Sequence, residues 1–174
     1  AFEDKNVRFV IIGEGDNKEK IVSIAEEQGI RGDTVKFLPY QPRDDLPYSL
    51  TSGDVSVVAV KDGFEGIVVS SKMYTAMAAG MPVLGIVQPH DDEARIIDAF
   101  DAGLHAEQGE PEEVVEAIET WRANPELVEN QGANARTAFE NHFTKQQSVE
   151  RYYRLLTDEP LEDDVTLTEG VTQS

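Results

Sequence analysis

The sequence contains no cysteine, and it is poor in aromatic residues, in lysine and in long apolar runs. Without cysteine the chain has no disulfide, thiolate metal site or thiol nucleophile. Its three histidines, His90, His105 and His142, are scattered without the spacing of metal ligands, so we predict no metal site. No apolar stretch has the length of a transmembrane span or of a secretory signal, and we expect a cytoplasmic protein.

Basic residues are also scarce, since 15 Lys and Arg stand against 34 Asp and Glu, for a formal net charge of −19. A nucleic-acid partner requires a basic surface that displaces counterions, so the charge argues against one. It argues equally against simple electrostatic attraction to an anionic membrane. Acidic residues occur throughout the chain, which favours a surface adapted to high salt and a halophilic source over an ordinary acidic protein.

The most informative stretch, Asp54–Ile86, has the pattern strand, loop, helix, strand. A β-branched run at Val55–Val60 is typical of a strand buried in a parallel sheet. After a loop with two glycines, Ser70 or Ser71 can cap a helix that Gly80 ends, and a second apolar strand follows. The free N–H groups and the dipole of that helix point to its N-terminus, so the stretch predicts an anion site there.

The rest of the chain alternates strands and helices in the same way, which predicts a three-layer α/β/α sandwich with a mostly parallel, Rossmann-like sheet. We expect one domain over residues 1–157, followed by an acidic, disordered tail over residues 158–174. The predicted strands are Val7–Gly13 (buried), Thr34–Leu38 and Gly103–Ala106 (at an edge). The side chains predicted to face inward from the helices are Ile21, Ile24, Ala25, Val114, Val115, Ile118, Trp121, Tyr152, Tyr153, Leu155 and Leu156.

A glycine pair, Gly13 and Gly15, follows the first predicted strand. The pair suggests a dinucleotide fingerprint, but the third glycine is replaced by Lys18, and the expected acidic residue after a second strand is missing. A ligand-lining loop and a plain tight turn are both consistent with this pattern.

The segment EGIVVSSKMYTAMAAGMPVL resembles the donor-site segment of family 4 glycosyltransferases of the GT-B fold, in the subgroup with a Pro-Ser-Lys motif. A second segment, FLPYQPRDDLP, resembles the same subgroup, and the likeness extends over residues 7–156. It implies that the chain is the C-terminal, donor-binding domain of a two-domain enzyme. The matching residues in the first segment are Glu65, Gly66, Val68, Val69, Ser71, Lys72, Tyr74, Ala78, Ala79, Gly80 and Pro82.

The resemblance implies a retaining, metal-independent enzyme that moves a sugar from a nucleotide diphosphate sugar to an acceptor, in glycan or glycoconjugate synthesis. The nucleotide sugar is the substrate and no cofactor is implied. Glu65 is then the candidate catalytic residue, through contact with the sugar. The candidate nucleotide-sugar-binding residues are Gly13, Gly15, Phe37, Leu38, Pro39, Gly66, Ile67, Val68, Ser71, Lys72 and Thr75.

The sequence departs from the family in its Glu-x7-Glu signature, whose two glutamates would fall on Ile67 and Thr75. Glu65 lies two residues before the first of these positions, and Thr75 could offer a hydroxyl to the ribose. The proline of the subgroup motif is replaced by Ser70. These departures leave the identity of the sugar and of the nucleotide open.

The family's donor domain opens with a strand and helix, and by the resemblance we expect these elements and the acceptor domain to be missing from this sequence. We therefore expect a piece of a longer enzyme that binds a nucleotide diphosphate weakly and transfers no sugar alone. An unpaired sheet edge would favour self-association. We expect a cytoplasmic enzyme, which as a full-length protein could also lie at the periphery of the membrane.

The sequence leaves two alternative functions open. The first is a GT-B-like nucleotide-sugar 2-epimerase, although the histidine and acidic cluster it requires is not evident. The second is a non-catalytic, flavodoxin-like or receiver-type nucleotide-binding module. A receiver would carry acidic residues at the end of its first strand, where this chain has Ile11-Ile12-Gly13.

Overall fold

The computed structural model describes residues 7–60 and 70–157. The chain divides into two compact units, an N-terminal unit of residues 1–53 and a C-terminal unit of residues 54–174. The predicted tail at residues 158–174 and the glycine-containing loop after the third strand lie outside the described residues. The extent of the domain, residues 1–157, therefore stays a prediction.

The N-terminal unit is built on two parallel strands joined by a helix. Strand β1 pairs along its whole length with β2, so that Phe9 lies opposite Val35 and Ile12 opposite Leu38. A 3-10 turn at Arg43–Asp45 precedes the last helix of the unit. The other elements are β1 (Phe9–Ile12), α1 (Lys18–Glu27), β2 (Val35–Leu38) and α2 (Leu46–Leu50).

The prediction that the first strand is buried is wrong. Val10 and Ile12 are 45% and 36% exposed, and they alternate with half-buried neighbours. Successive side chains of a strand point to opposite faces, so one face of β1 is half-buried and the other is exposed. Of the three side chains predicted to face inward from α1, Ala25 is buried, whereas Ile21 and Ile24 are exposed.

The C-terminal unit holds a three-stranded parallel sheet in the order β3-β4-β5, with helices between its strands. Strand β5 lies at one end of this sheet, as predicted. A π-helical turn at Phe139–Phe143 separates the last two helices. The elements are β3 (Ser56–Ala59), α3 (Ser71–Ala78), β4 (Val83–Ile86), α4 (Asp92–Phe100), β5 (Gly103–Ala106), α5 (Pro111–Ala123), α6 (Pro125–Ala138) and α7 (Lys145–Thr157).

Two apolar clusters hold the C-terminal unit together. The larger cluster joins α3, α4 and α6 to the sheet, and the smaller cluster joins α5 to Leu84 of β4. Trp121 in the smaller cluster donates its indole N–H to Gln131 Oε1 at 2.8 Å, which satisfies both buried groups. The prediction of an α/β fold with a parallel sheet and flanking helices is confirmed. The larger cluster includes Val58, Met73, Met77, Val83, Ile96 and Ile97.

Several side chains predicted to pack inward are exposed instead: Val115, Tyr152, Tyr153, Leu155 and Leu156. On α7, polar side chains form the contacts with the preceding turn, and the apolar side chains are exposed. Gln147 Nε2 donates to the carbonyl of Asn141, and Arg151 donates to the carbonyl of His142 at 2.7 Å. These bonds turn the polar side of α7 toward the preceding π-helical turn and its apolar side away from it.

The helices found in residues 7–60 and 70–157 are too short or too polar for any of them to cross a membrane.

Candidate functional site

The predicted site residues divide between the two units. Gly13, Gly15, Phe37, Leu38 and Pro39 belong to the N-terminal unit, whereas Ser71, Lys72 and Thr75 belong to α3 of the C-terminal unit. Each set is therefore described by itself. The remaining predicted residues, Glu65, Gly66, Ile67 and Val68, lie outside the described residues.

Helix α3 begins and ends where the sequence predicts. Ser70 is the N-cap residue in an extended conformation, and Gly80, with φ of +71°, ends the helix in the left-handed region that glycine adopts most easily. Met73 and Met77 are fully buried on the inner side of the helix. This anchoring leaves the side chains of Ser71 and Lys72 exposed on the first turn.

The first turn of α3 presents unused hydrogen-bond donors, because the first N–H groups of a helix have no partner within it. The amide of Met73 turns back to the carbonyl of Ser70 at 3.0 Å. Within residues 7–60 and 70–157, the amides of Ser71 and Lys72 find no acceptor, and the ammonium of Lys72 forms no ion pair. The helix dipole and the Lys72 charge together make this turn suitable for an anion.

Thr75 lies one turn further along the same helix. Its hydroxyl donates to the carbonyl of Ser71 at 2.9 Å. The hydroxyl proton is thus engaged inside the helix, and the oxygen retains lone pairs that can only accept a hydrogen bond.

Two buried carboxylates on the turn that opens α4 were not selected by sequence reasoning as site residues. Asp91 and Glu93 are each only 2% exposed. Asp91 Oδ2 accepts the amide of Gln88 at 2.8 Å, while its Oδ1 is buried without a partner among the described residues. Glu93 Oε1 accepts the amide of Ser70 at 2.6 Å, which ties α4 to the start of α3.

A signal for Glu93 was present in the sequence. The buried stripe of α4 runs through Ile96, Ile97 and Phe100, and Glu93 stands one turn before them at helical spacing. A charged residue in an apolar stripe indicates a partner inside the protein, because an unpaired buried charge is costly.

The negative charge at this turn acts on Tyr74 of α3. Burial raises the pKa of the Tyr74 phenol above its ordinary value, and the carboxylates of Glu93 and Asp92 raise that pKa further. The ring of Tyr74 also contacts that of Phe143, with 5.1 Å between centroids. Tyr74 is thus a neutral hydrogen-bonding group near the start of α3 at neutral pH.

In the N-terminal unit, the glycine loop is closed by its own lysine. Gly13, with φ of +116°, donates its amide to the carbonyl of Leu38 at 3.2 Å, which joins the loop to the end of β2. Lys18 Nζ donates to the carbonyl of Gly13 and to Glu14 Oε1, each at 2.7 Å. The Lys18 charge is therefore largely neutralised within the loop, as in a tight turn.

The residues after β2 form the other part of this set. The side chains of Phe37 and Leu38 are half-buried, and Pro39 is exposed. Within residues 7–60 and 70–157, no three His, Asp or Glu side chains are grouped so as to hold a metal ion.

Comparison with protein families gives a match over most of the chain. The family model described as "Glycosyl transferases group 1" matches residues 1–138. Two similar curated proteins are WcaI of Escherichia coli (strain K12), named as a glycosyl transferase of colanic acid biosynthesis, and WbjE of Pseudomonas aeruginosa, named as a glycosyltransferase. WcaI is 28% identical over 97 residues, 56% of this chain, and WbjE is 24% identical over 155 residues, 86% of it. The chain spans only 23% and 36% of their respective lengths.

Solved structures show the same fold. HepE of Anabaena in complex with UDP-glucose superposes with a TM-score of 0.70 at 18% identity, covering 87% of this chain and 41% of that one. WaaG, a glycosyltransferase involved in lipopolysaccharide biosynthesis, superposes with a TM-score of 0.65 at 20% identity, covering 87% of this chain and 38% of that one. At such identities the likeness establishes the fold.

Proposed function

The chain belongs to the group 1 glycosyl transferases, and from this membership we propose that it binds the nucleotide diphosphate sugar in a retaining, metal-independent transferase. The observation that carries the proposal is the first turn of α3. There, within residues 7–60 and 70–157, the amides of Ser71 and Lys72 and the Lys72 ammonium have no partner, on an exposed turn anchored by Met73 and Met77.

The chemistry of sugar transfer explains why such a turn is needed. As the bond between the sugar and the diphosphate breaks, negative charge grows on the leaving diphosphate. Backbone amides fixed at a helix start stabilise that charge without reorganising, and a lysine adds a full positive charge beside them. We assign Ser71 and Lys72 to the diphosphate. Their amides and the Lys72 ammonium would neutralise the charge that a divalent metal neutralises in many other sites that bind a diphosphate.

The other predicted residues receive roles within the same proposal. Glu65 would contact the sugar hydroxyls, and Gly66, Ile67 and Val68 would line the diphosphate. Thr75 would accept a hydrogen bond from a ribose hydroxyl through its remaining lone pairs. In the N-terminal unit, Gly13, Gly15, Phe37, Leu38 and Pro39 stay the residues that the family resemblance predicts for binding of the nucleotide sugar.

Similar proteins support the class of ligand. HepE is described in complexes with UDP-glucose and with UDP. WcaI and WaaG are named for colanic acid and lipopolysaccharide biosynthesis, so we place this chain in glycan or glycoconjugate synthesis. The whole enzyme would add an acceptor-binding part, because the chain spans about a quarter to a third of the curated relatives.

The test is calorimetric titration with UDP, GDP, ADP and dTDP, each beside its nucleoside. Lys72→Ala should weaken binding of the preferred nucleotide diphosphate by roughly 1 kcal/mol, about fivefold, because a charge-assisted contact is lost. Nucleoside binding should not change. Lys145→Ala is the matched control, since it removes an exposed lysine from the first turn of another helix, α7, which holds none of the predicted site residues. Equal affinities for Lys72→Ala and wild type, or no diphosphate binding at all, would contradict the proposal.

A further inference from the structure

Glu93 is an ionisable residue at a position of α4 that normally holds an apolar side chain. It stands in the apolar stripe of α4, and its side chain is 2% exposed. Burying a carboxylate is unfavourable unless hydrogen bonds satisfy it, so the hydrogen bond that Glu93 accepts contributes to the stability of the fold. Since Ile96 and Ile97 fix the same face of α4 in the larger core cluster, the Glu93 carboxylate is held on a rigid element.

The partner of that carboxylate is the backbone of the residue that opens α3. Glu93 Oε1 accepts the Ser70 amide at 2.6 Å, across 23 residues of sequence. The Ser70 side chain makes no capping bond of its own to the helix. The bond from α4 therefore fixes the N-cap residue through its own N–H, as the glutamate of a capping box does, and does not use the amides of the first turn.

We propose that Glu93 is a positioning residue for the diphosphate, which it does not touch. Its buried carboxylate holds the Ser70 amide and thereby aims the next two amides, those of Ser71 and Lys72, at the leaving group. This inference rests on the proposed function and deepens it. Catalytic stabilisation by backbone dipoles depends on donors that are oriented in advance, so the support of the turn matters as much as the turn.

Two effects of Glu93 oppose each other, and the experiment must separate them. Its negative charge lies close to the proposed anion site and disfavours an anion there. Its hydrogen bond orders the amides that bind the anion. If repulsion dominates, removal of Glu93 tightens diphosphate binding; if positioning dominates, removal weakens it.

The decisive variants are Glu93→Met, which keeps the length of the side chain without a comparable acceptor, and Glu93→Gln, which keeps an acceptor without the charge. Glu93→Met should weaken binding of the preferred nucleotide diphosphate about fivefold or more and leave its nucleoside unaffected. Glu93→Gln should restore at least the wild-type affinity. Asp92→Asn is the control, because this 47% exposed carboxylate on the same turn pairs with Arg95 and has no bond to Ser70. It should show no loss.

Amide hydrogen exchange at residues 70–73 gives a readout that needs no ligand. The exchange of these amides should accelerate in Glu93→Met and return toward wild type in Glu93→Gln. Unchanged exchange in Glu93→Met, tighter or equal diphosphate binding, or an equal loss for nucleoside and diphosphate would each overturn the inference. If wild type binds no nucleotide diphosphate while exchange behaves as expected, the proposed function fails and the positioning of α3 by Glu93 stands.

Discussion

The two compact units of the chain use the same strand–loop–helix pattern with different amounts of packing. Among the described residues of the N-terminal unit, Ala25 alone is buried, although that unit is rich in Val, Ile and Tyr. In the C-terminal unit, α3 buries two methionines completely, and the sheet carries helices on both faces. The sequence pattern is similar in both, so the difference comes from the number of neighbours each helix has.

This difference matters at the two helix starts. At α1, Lys18 is used to close the glycine loop on itself. At α3, buried side chains and the Glu93 contact hold the helix, so Lys72 is not needed for the fold and remains exposed. The two helix starts thus differ in whether the lysine has a partner among the described residues.

The largest expected effect comes from truncating one apolar helix side chain in each unit. Met77→Ala should lower the free energy of unfolding by about 3 kcal/mol, because Met77 is fully buried between α3 and the sheet. Ile24→Ala, on an α1 side chain that is 47% exposed, should cost about 0.5 kcal/mol or less. Urea unfolding should be followed by circular dichroism and by the fluorescence of Trp121, the only tryptophan. Similar costs for the two variants would remove the contrast in packing.

A second test compares the two sheets in the unaltered protein by amide hydrogen exchange. Strand β4 is bonded on both sides and almost wholly buried, whereas β1, in the part of the chain that the structure describes, pairs with β2 and is half exposed. Local opening requires less free energy where fewer contacts break. The β4 amides should therefore exchange on the order of 100-fold more slowly than those of β1. Equal protection would mean that the two units unfold as one.

The positions of the elements could be predicted from the sequence because glycines, prolines and capping residues mark them. Gly80 and Pro82 separate α3 from β4 as expected, and Pro111 opens α5. The direction in which a side chain faces was less predictable. Val115 and Tyr152 continue apolar patterns yet are exposed, since periodicity identifies an apolar stripe without showing whether a neighbour covers it.

The candidate site shows the same limit. Ser70 or Ser71 was expected to cap α3, and Ser70 is its N-cap residue but makes no side-chain capping bond. The contact that holds this end comes instead from Glu93, and a bond across 23 residues depends on the fold. The predicted residues Ser71, Lys72 and Thr75 do share the first turns of one helix, because helical spacing alone dictates that arrangement.

Charge divides the chain as unevenly as packing does. Residues 1–53 hold 10 acidic and 7 basic residues, a net charge of −3, whereas residues 54–174 hold 24 and 8, a net charge of −16. The expected adaptation to high salt therefore concerns mainly the C-terminal unit. Tyr74 lies within that unit, where burial and then the carboxylates of Glu93 and Asp92 raise the pKa of its phenol. The titration of Tyr74 therefore reports the local effect of this negative charge.

The smallest expected effect is the dependence of stability on alkaline pH. The pKa of Tyr74 is raised in the folded chain by burial first and then by Glu93 and Asp92. The neutral phenol is therefore favoured by folding, and this contribution is complete below the unfolded pKa of about 10. It is lost as the pH rises from there through the folded pKa, because the unfolded chain releases the proton first. In Tyr74→Phe the free energy of unfolding should fall less steeply above pH 10, because no phenol remains to release a proton on unfolding. Glu93→Gln should reduce the slope by a smaller amount, since burial remains. Identical slopes in wild type and Tyr74→Phe would show that folding does not raise the pKa of Tyr74, and identical slopes in wild type and Glu93→Gln would show that Glu93 does not contribute to it.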